Sequence, residues 1–261
     1  MDTRGRAGGR GIARTAGVLA LGALIGYVVV SLVLLGIGML LMHVLLHGAL
    51  GKWDVHANAW FAHRRTPWLN DVTSELTRLA NTLGVVVVAA IVEVVLLIRR
   101  HAREALLLLV GLPVELATFL TVNTLIDRPR PSVPKLDSVP STASFPSGHI
   151  AATLTLYVLI AVCVTRLARS TAWHRIAWTV AVALTLLVGF ARVYRGLHHV
   201  TDVVAGLILG IGAVVTAYLD VRYEARTADR GVTAPRERSA AAASPRRVPP
   251  AHAHALHRRG A

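Results

Sequence analysis

Three short polar islands break an otherwise apolar chain, and each carries groups suited to phosphate chemistry. They are Asp127-Arg128-Pro129-Arg130-Pro131, Phe145-Pro146-Ser147-Gly148-His149 and the turn from Arg192 through His198 and His199 to Asp202. His198 and Asp202 are four residues apart, so at the start of a helix they share a face. A carboxylate beside an imidazole fixes its tautomer and steadies the imidazolium, which leaves the other ring nitrogen free to attack. Arg192 can grip a phosphate with two N–H groups. Ser147, Gly148 and His149 directly precede an apolar run, where a helix N-terminus offers free N–H groups and the positive end of its dipole to an anion. Gly148 lets the backbone come close, the Ser147 hydroxyl can donate, and His149 has an ordinary pKa of about 6.5, suited to handing a proton to a leaving alkoxide. Prolines on either side of Arg130 restrict the backbone that aims its guanidinium. Taken singly, each island also reads as plain interface structure: a snorkelling arginine, a serine N-cap, a rigid loop. Together they form a set for phosphoryl transfer in which arginines, with no metal, neutralise the phosphoryl oxygens.

The elements that must position these groups are membrane helices. Of 261 residues 54% are hydrophobic and 16% charged, and the mean hydropathy is +0.56. That composition excludes an ordinary soluble domain. It predicts an all-α, polytopic membrane bundle of about six transmembrane helices over residues 18–46, 79–98, 105–126, 150–167, 176–191 and 203–219. The first run follows Arg4, Arg6, Arg10 and Arg14 but is far longer than a cleavable signal core, so it reads as a retained span. The net charge of +14 sits mainly at the ends and in short loops, which points to membrane orientation and anionic lipid rather than nucleic acid. The single cysteine, Cys163, excludes an internal disulfide.

With the N-terminus inside, nineteen of the 28 Lys and Arg residues fall on the inner side and nine on the outer. The positive-inside rule therefore places both termini in the cytoplasm, and all three islands then lie on the extracytoplasmic face. Residues 1–16 and 222–261 read as disordered basic tails flanking a membrane domain at 17–221. Between the first two spans, Trp53, Trp60, Phe61 and Trp68 suit a helix lying in the interface. Glu93 and Glu115, inside spans, are expected to pair with an arginine or a threonine hydroxyl in the bundle. Arg195 and His199 read as exposed at the interface, and His252, His254 and His257 as a loose tail cluster.

The order and spacing of the islands resemble the type-2 phosphatidic acid phosphatase (PAP2) superfamily of integral membrane lipid phosphatases. The family's third signature is met by Arg192, His198 and Asp202, and its second by Pro146-Ser147-Gly148-His149. Its first is met at Arg130-Pro131, but Asn123 stands where the pattern has lysine. The resemblance implies His198 as nucleophile, Asp202 as its orienting carboxylate and His149 as the acid and later base. It implies a phosphate cradle of Arg130, Ser147, Gly148 and Arg192, with Asn123 as an uncharged substitute and Arg128 or Lys135 as candidates to restore the missing charge. No cofactor is implied. The partner would be a lipid phosphate in the membrane, of the phosphatidic acid, phosphatidylglycerol phosphate or polyprenyl (pyro)phosphate class, its tail entering sideways between helices. The alternatives are a lipid-linked phosphotransferase using the same site, a vanadate haloperoxidase, which the dense spans argue against, and a non-enzymatic membrane protein with a decayed site.

Overall fold

In hydrocarbon every backbone N–H and C=O must find a partner within its own segment, so long Leu, Val, Ala and Ile runs fold as helices. The computed structural model describes residues 3–138 and 142–243, and among them there are eight α-helices, one short 3-10 turn and no strand. The helices are α1 (Thr3–His43), α2 (Ala49–His63), α3 (Pro67–Leu79), α4 (Thr82–Ile98), α5 (Ala102–Leu125), α6 (Gly148–Leu167), α7 (Thr171–Tyr194) and α8 (Val200–Ala243). The long stretches Ala13–His47, Ala102–Leu125, Gly148–Leu167, Thr171–Tyr194 and Val200–Thr227 are each long and apolar enough to cross a membrane.

The remaining expected span, 79–98, is built differently. Asn81 caps α4, its side-chain oxygen accepting from the Gly84 N–H at 2.7 Å. The 17 residues of α4 reach only about 26 Å, short of a hydrocarbon core of roughly 30 Å. A bend of 49° joins α4 to α3, and the pair together makes a sixth candidate span. Thr66 caps α3, with Pro67 at its first position. The aromatic segment after α1 is thus helical, as expected, in the two pieces α2 and α3.

Met1–Glu224 form one compact unit and Ala225–Ala261 a second. Helix α1 begins at Thr3 and α8 runs to Ala243, so helix extends into both segments whose composition suggests disordered tails. Alanine and arginine, both strong helix formers, are frequent in 222–243. Residues 244–261, with His252, His254 and His257, lie outside the described residues.

Contacts between α6 and α8 bring the second and third polar islands together. Glycines at 206 and 210 let α8 lie directly on the backbone of α6: a Cβ on Gly206 would fall 2.6 Å from the Ser147 carbonyl oxygen, and one on Gly210 3.0 Å from that of Ala151. The Ser147 N–H also donates to the Asp202 carbonyl at 3.0 Å. Below the islands, Leu34, Val122, Ile126, Phe145, Ala151 and Leu209 close a buried apolar cluster. Leu24, Ile91 and Leu186 are exposed on the outer faces, as in a bundle solvated by lipid. Replacing Gly206 by leucine is expected to lower the melting temperature in detergent by roughly 3–10 °C through overpacking. Gly36→Leu, at a site with nothing within 4 Å, is the control that leaves it nearly unchanged.

Candidate active site

Asp202, in the first turn of α8, is fully buried. It accepts hydrogen bonds from the Arg128 Nη1, the Ser144 hydroxyl and the His199 N–H, the last at 2.8 Å. His198 sits in the turn before α8. Its Nδ1 lies 2.8 Å from the Ser144 carbonyl oxygen and 3.8 Å from Asp202 Oδ2. A carbonyl can only accept, so Nδ1 carries the proton and Nε2 presents its lone pair. Arg192 Nη2 approaches that Nε2 at 3.5 Å. The carboxylate expected to orient His198 therefore does so largely at one remove. The direct partner of the imidazole is the Ser144 carbonyl, and Asp202 holds Ser144 by its hydroxyl. Burial, chiefly, pushes the His198 pKa down to about 4, helped by Arg192 and Arg130 and opposed by Asp202. At neutral pH such an imidazole is uncharged.

Five of the expected residues line one cavity of about 560 Å³: Arg130, Gly148, His149, Arg192 and His198. Arg130 is anchored by the Leu197 carbonyl at 2.8 Å and by Thr142. The Arg192 Nε is buried without a partner among the described residues. Ser147, at the α6 N-cap, also has a buried hydroxyl oxygen with no partner among them. Arg192 lines the cavity and Ser147 does not; each leaves a buried polar group free for a partner that the described residues do not supply. Gly148 has no room for a side chain, since a Cβ would fall 2.8 Å from the Phe119 ring. Among the described residues no three His, Cys, Asp or Glu side chains converge as a metal site would need.

Asn123 holds the loop and does not line the cavity. Its Nδ2 donates to the Ala143 and Phe145 carbonyls, each at 3.0 Å, tying the returning loop to the end of α5. Both amide hydrogens are occupied, and Asn123 is absent from the cavity wall. Arg128 does not restore the missing charge either. It is 2% exposed and bonded to Asp54 at 2.8 Å, to Asp202 and to Thr201. Lys135 is exposed. Arg195 is buried, not at the surface: it pairs with Asp137 and donates to the Asn70 carbonyl at 2.8 Å. His199 is also buried. Among the described residues neither Glu93 nor Glu115 pairs with an arginine or threonine; the Glu93 Oε2 is buried and unbonded, and both residues line the cavity.

Two residues of α2 belong to the site although nothing in the islands marks them. Asp54 receives Arg128 and Thr201, and the Asn58 Nδ2 donates to the His198 carbonyl at 3.0 Å. Each is 1% exposed. The sequence signal for them is the spacing of Gly51, Asp54 and Asn58, which puts one small and two polar residues on a single face of a helix.

The sequence pattern of the PAP2 superfamily matches residues 104–226. Phosphatidylglycerophosphatase B of Bacillus subtilis (strain 168) is 30% identical over 148 residues, which are 56% of this chain and 72% of the relative. The chain belongs to the PAP2 superfamily. A crystal structure of a transmembrane PAP2-type phosphatidylglycerolphosphate phosphatase from Bacillus subtilis shares the fold, with a TM-score of 0.63 at 23% identity over 79% of this chain and 96% of that one. Aquifex aeolicus LpxE gives 0.50 at 20% identity over 64% of this chain and 93% of that one. The protein is thus a multi-pass membrane phosphatase of PAP2 type, all-helical as its composition required.

At this candidate site, Asp54→Asn should lower kcat by roughly tenfold or more and reduce thermal stability. It weakens the partner of a buried guanidinium, and breaking such a pair outright costs about 3–5 kcal/mol. Enzyme assays with thermal unfolding in detergent check both. The depressed pKa of His198 has a second consequence. Between pH about 6.5 and about 4 the unfolded chain binds a proton there that the folded protein does not. Stability contributed by the neutral imidazole is complete above the unfolded value and is lost as pH falls towards 4. The melting temperature should therefore drop across that window, and His198→Asn should flatten the drop.

Proposed function

We propose that the protein hydrolyses a lipid phosphomonoester or pyrophosphate through a phosphohistidine on His198, at the extracytoplasmic face of the membrane. The observation that carries this reading is the cavity that joins Arg130, His149, Arg192 and His198 to a wall of Val85, Ala89, Leu112 and Leu116. A phosphoryl group at the polar end meets two guanidinium groups, the Ser147 hydroxyl and the N–H groups that open α6. A hydrocarbon chain fits the apolar wall.

The His198 Nε2 lone pair attacks phosphorus in line with the scissile bond. The P–O bond to the lipid breaks, its electrons leave with the lipid oxygen, and that oxygen takes a proton from His149. Water then attacks the phosphohistidine while His149 takes its proton. The P–N bond breaks, its electrons return to Nε2, and inorganic phosphate departs. Through both steps the arginines and helix N–H groups meet the charge on the phosphoryl oxygens.

The distribution of basic residues supports cytoplasmic termini and an outward-facing site. The name of the Bacillus subtilis relative supports phosphatidylglycerol phosphate as a substrate. Phosphatidic acid and polyprenyl (pyro)phosphates present the same phosphoryl group. Phosphate release by the purified protein from a panel of these lipids tests the reading. His198→Ala should abolish turnover, and His149→Ala should slow it by about 10²–10⁴-fold. Phosphatase activity surviving intact in His198→Ala would sink the mechanism.

A further inference from the structure

Of the two acidic side chains that line the cavity, Glu93 and Glu115, the second lies deep in the bundle. Glu115 is 4% exposed, no hydrogen bond or ion pair from the described residues reaches it, and it lines the same cavity as Arg130, His149, Arg192 and His198. Its neighbours along that wall include Ala89, Leu112 and Leu116. A buried carboxyl left without a partner among apolar groups is costly, and such groups normally hydrogen-bond to something.

Its height in the cavity indicates what that something is. Glu115 precedes Phe119 by one helical turn, about 5–6 Å along α5. The Phe119 ring packs against Gly148, where α6 meets the phosphate site. With phosphorus held at the arginines, the part of a lipid one turn away is the linker between the phosphate and its hydrocarbon. In a glycerol-based lipid that linker carries ester or hydroxyl oxygens. In a polyprenyl or simple alkyl phosphate it is hydrocarbon. A carboxyl can accept from a hydroxyl and, when protonated, donate to an ester oxygen.

We infer that Glu115 determines specificity by hydrogen-bonding an ester or hydroxyl oxygen in the linker of a glycerol-based lipid phosphate, selecting it over a polyprenyl phosphate. The inference rests on the phosphatase reading above and narrows its substrate class. A cavity built to bond a polar group rejects ligands that lack it far more strongly than an apolar cavity rejects ligands that have it.

The deciding experiment measures kcat/KM of the purified protein in mixed micelles for dioleoyl phosphatidic acid, oleyl phosphate and farnesyl phosphate. The wild type should favour the glycerolipid over both others by about tenfold or more. Glu115→Leu should reduce that ratio at least about tenfold, while Glu115→Gln, whose amide still donates and accepts, should hold it within about threefold. A wild-type ratio near one overturns the inference, as does a Glu115→Leu ratio within about twofold of wild type. Where the leucine variant fails to fold, Glu115→Met, which also lacks the carboxyl, takes its place under the same criterion, and a wild-type ratio near one still overturns the inference by itself. Absence of phosphate release from any of the lipids would instead contradict the phosphatase reading itself.

Discussion

Burying a guanidinium inside a membrane bundle is costly unless its charge is matched, and Arg128 is the point where this protein meets that cost with carboxylates. At 2% exposure it donates to Asp54 of α2 and to Asp202 of α8. Three distant parts of the chain are thereby locked together: helix α2, the loop leaving α5 and the start of α8. Asp202, so held, fixes Ser144, and the Ser144 carbonyl sets the tautomer of His198. The orientation of the proposed nucleophile follows from an ion pair that never touches substrate. Such a network is favourable only when each member is satisfied, and here Thr201 and the His199 N–H complete it.

The arginines next to the cavity are arranged on the opposite principle. Arg130 is steered by backbone carbonyls rather than neutralised by a carboxylate, and the Arg192 Nε has no partner among the described residues. At the N-cap of α6 the Ser147 hydroxyl is also unbonded among the described residues. Matched charge holds the frame, and unmatched charge is left where a phosphoryl group would lie. The Gly206 and Gly210 contacts set the distance between the two halves, because they let α6 and α8 touch backbone to backbone.

Much of this is legible in the sequence. Apolar runs announce the helices, and the spacings around His149, His198 and Asp202 announce the family, because both are short-range patterns. What stays hidden depends on contacts between remote residues. Asp54 and Arg128 are 74 positions apart, and only folding shows that one neutralises the other. For the same reason Arg128 looks available to phosphate and Arg195 looks exposed in the sequence, whereas both are bound to carboxylates. Motif position alone puts Asn123 in the cradle, and its amide instead holds two loop carbonyls. The break at Asn81 is invisible to a hydropathy window, which does not register a cap inside an apolar run.

The central claim is a covalent phosphoryl group on His198. Turnover of a lipid phosphate by the purified protein, quenched in alkaline denaturant within milliseconds and followed by peptide mass spectrometry, tests it most directly. A phosphoryl group on the peptide containing His198, appearing and decaying with turnover, is the predicted result. A phosphoryl group trapped on a different residue, or steady turnover with no phosphorylated peptide at any quench time, would contradict it.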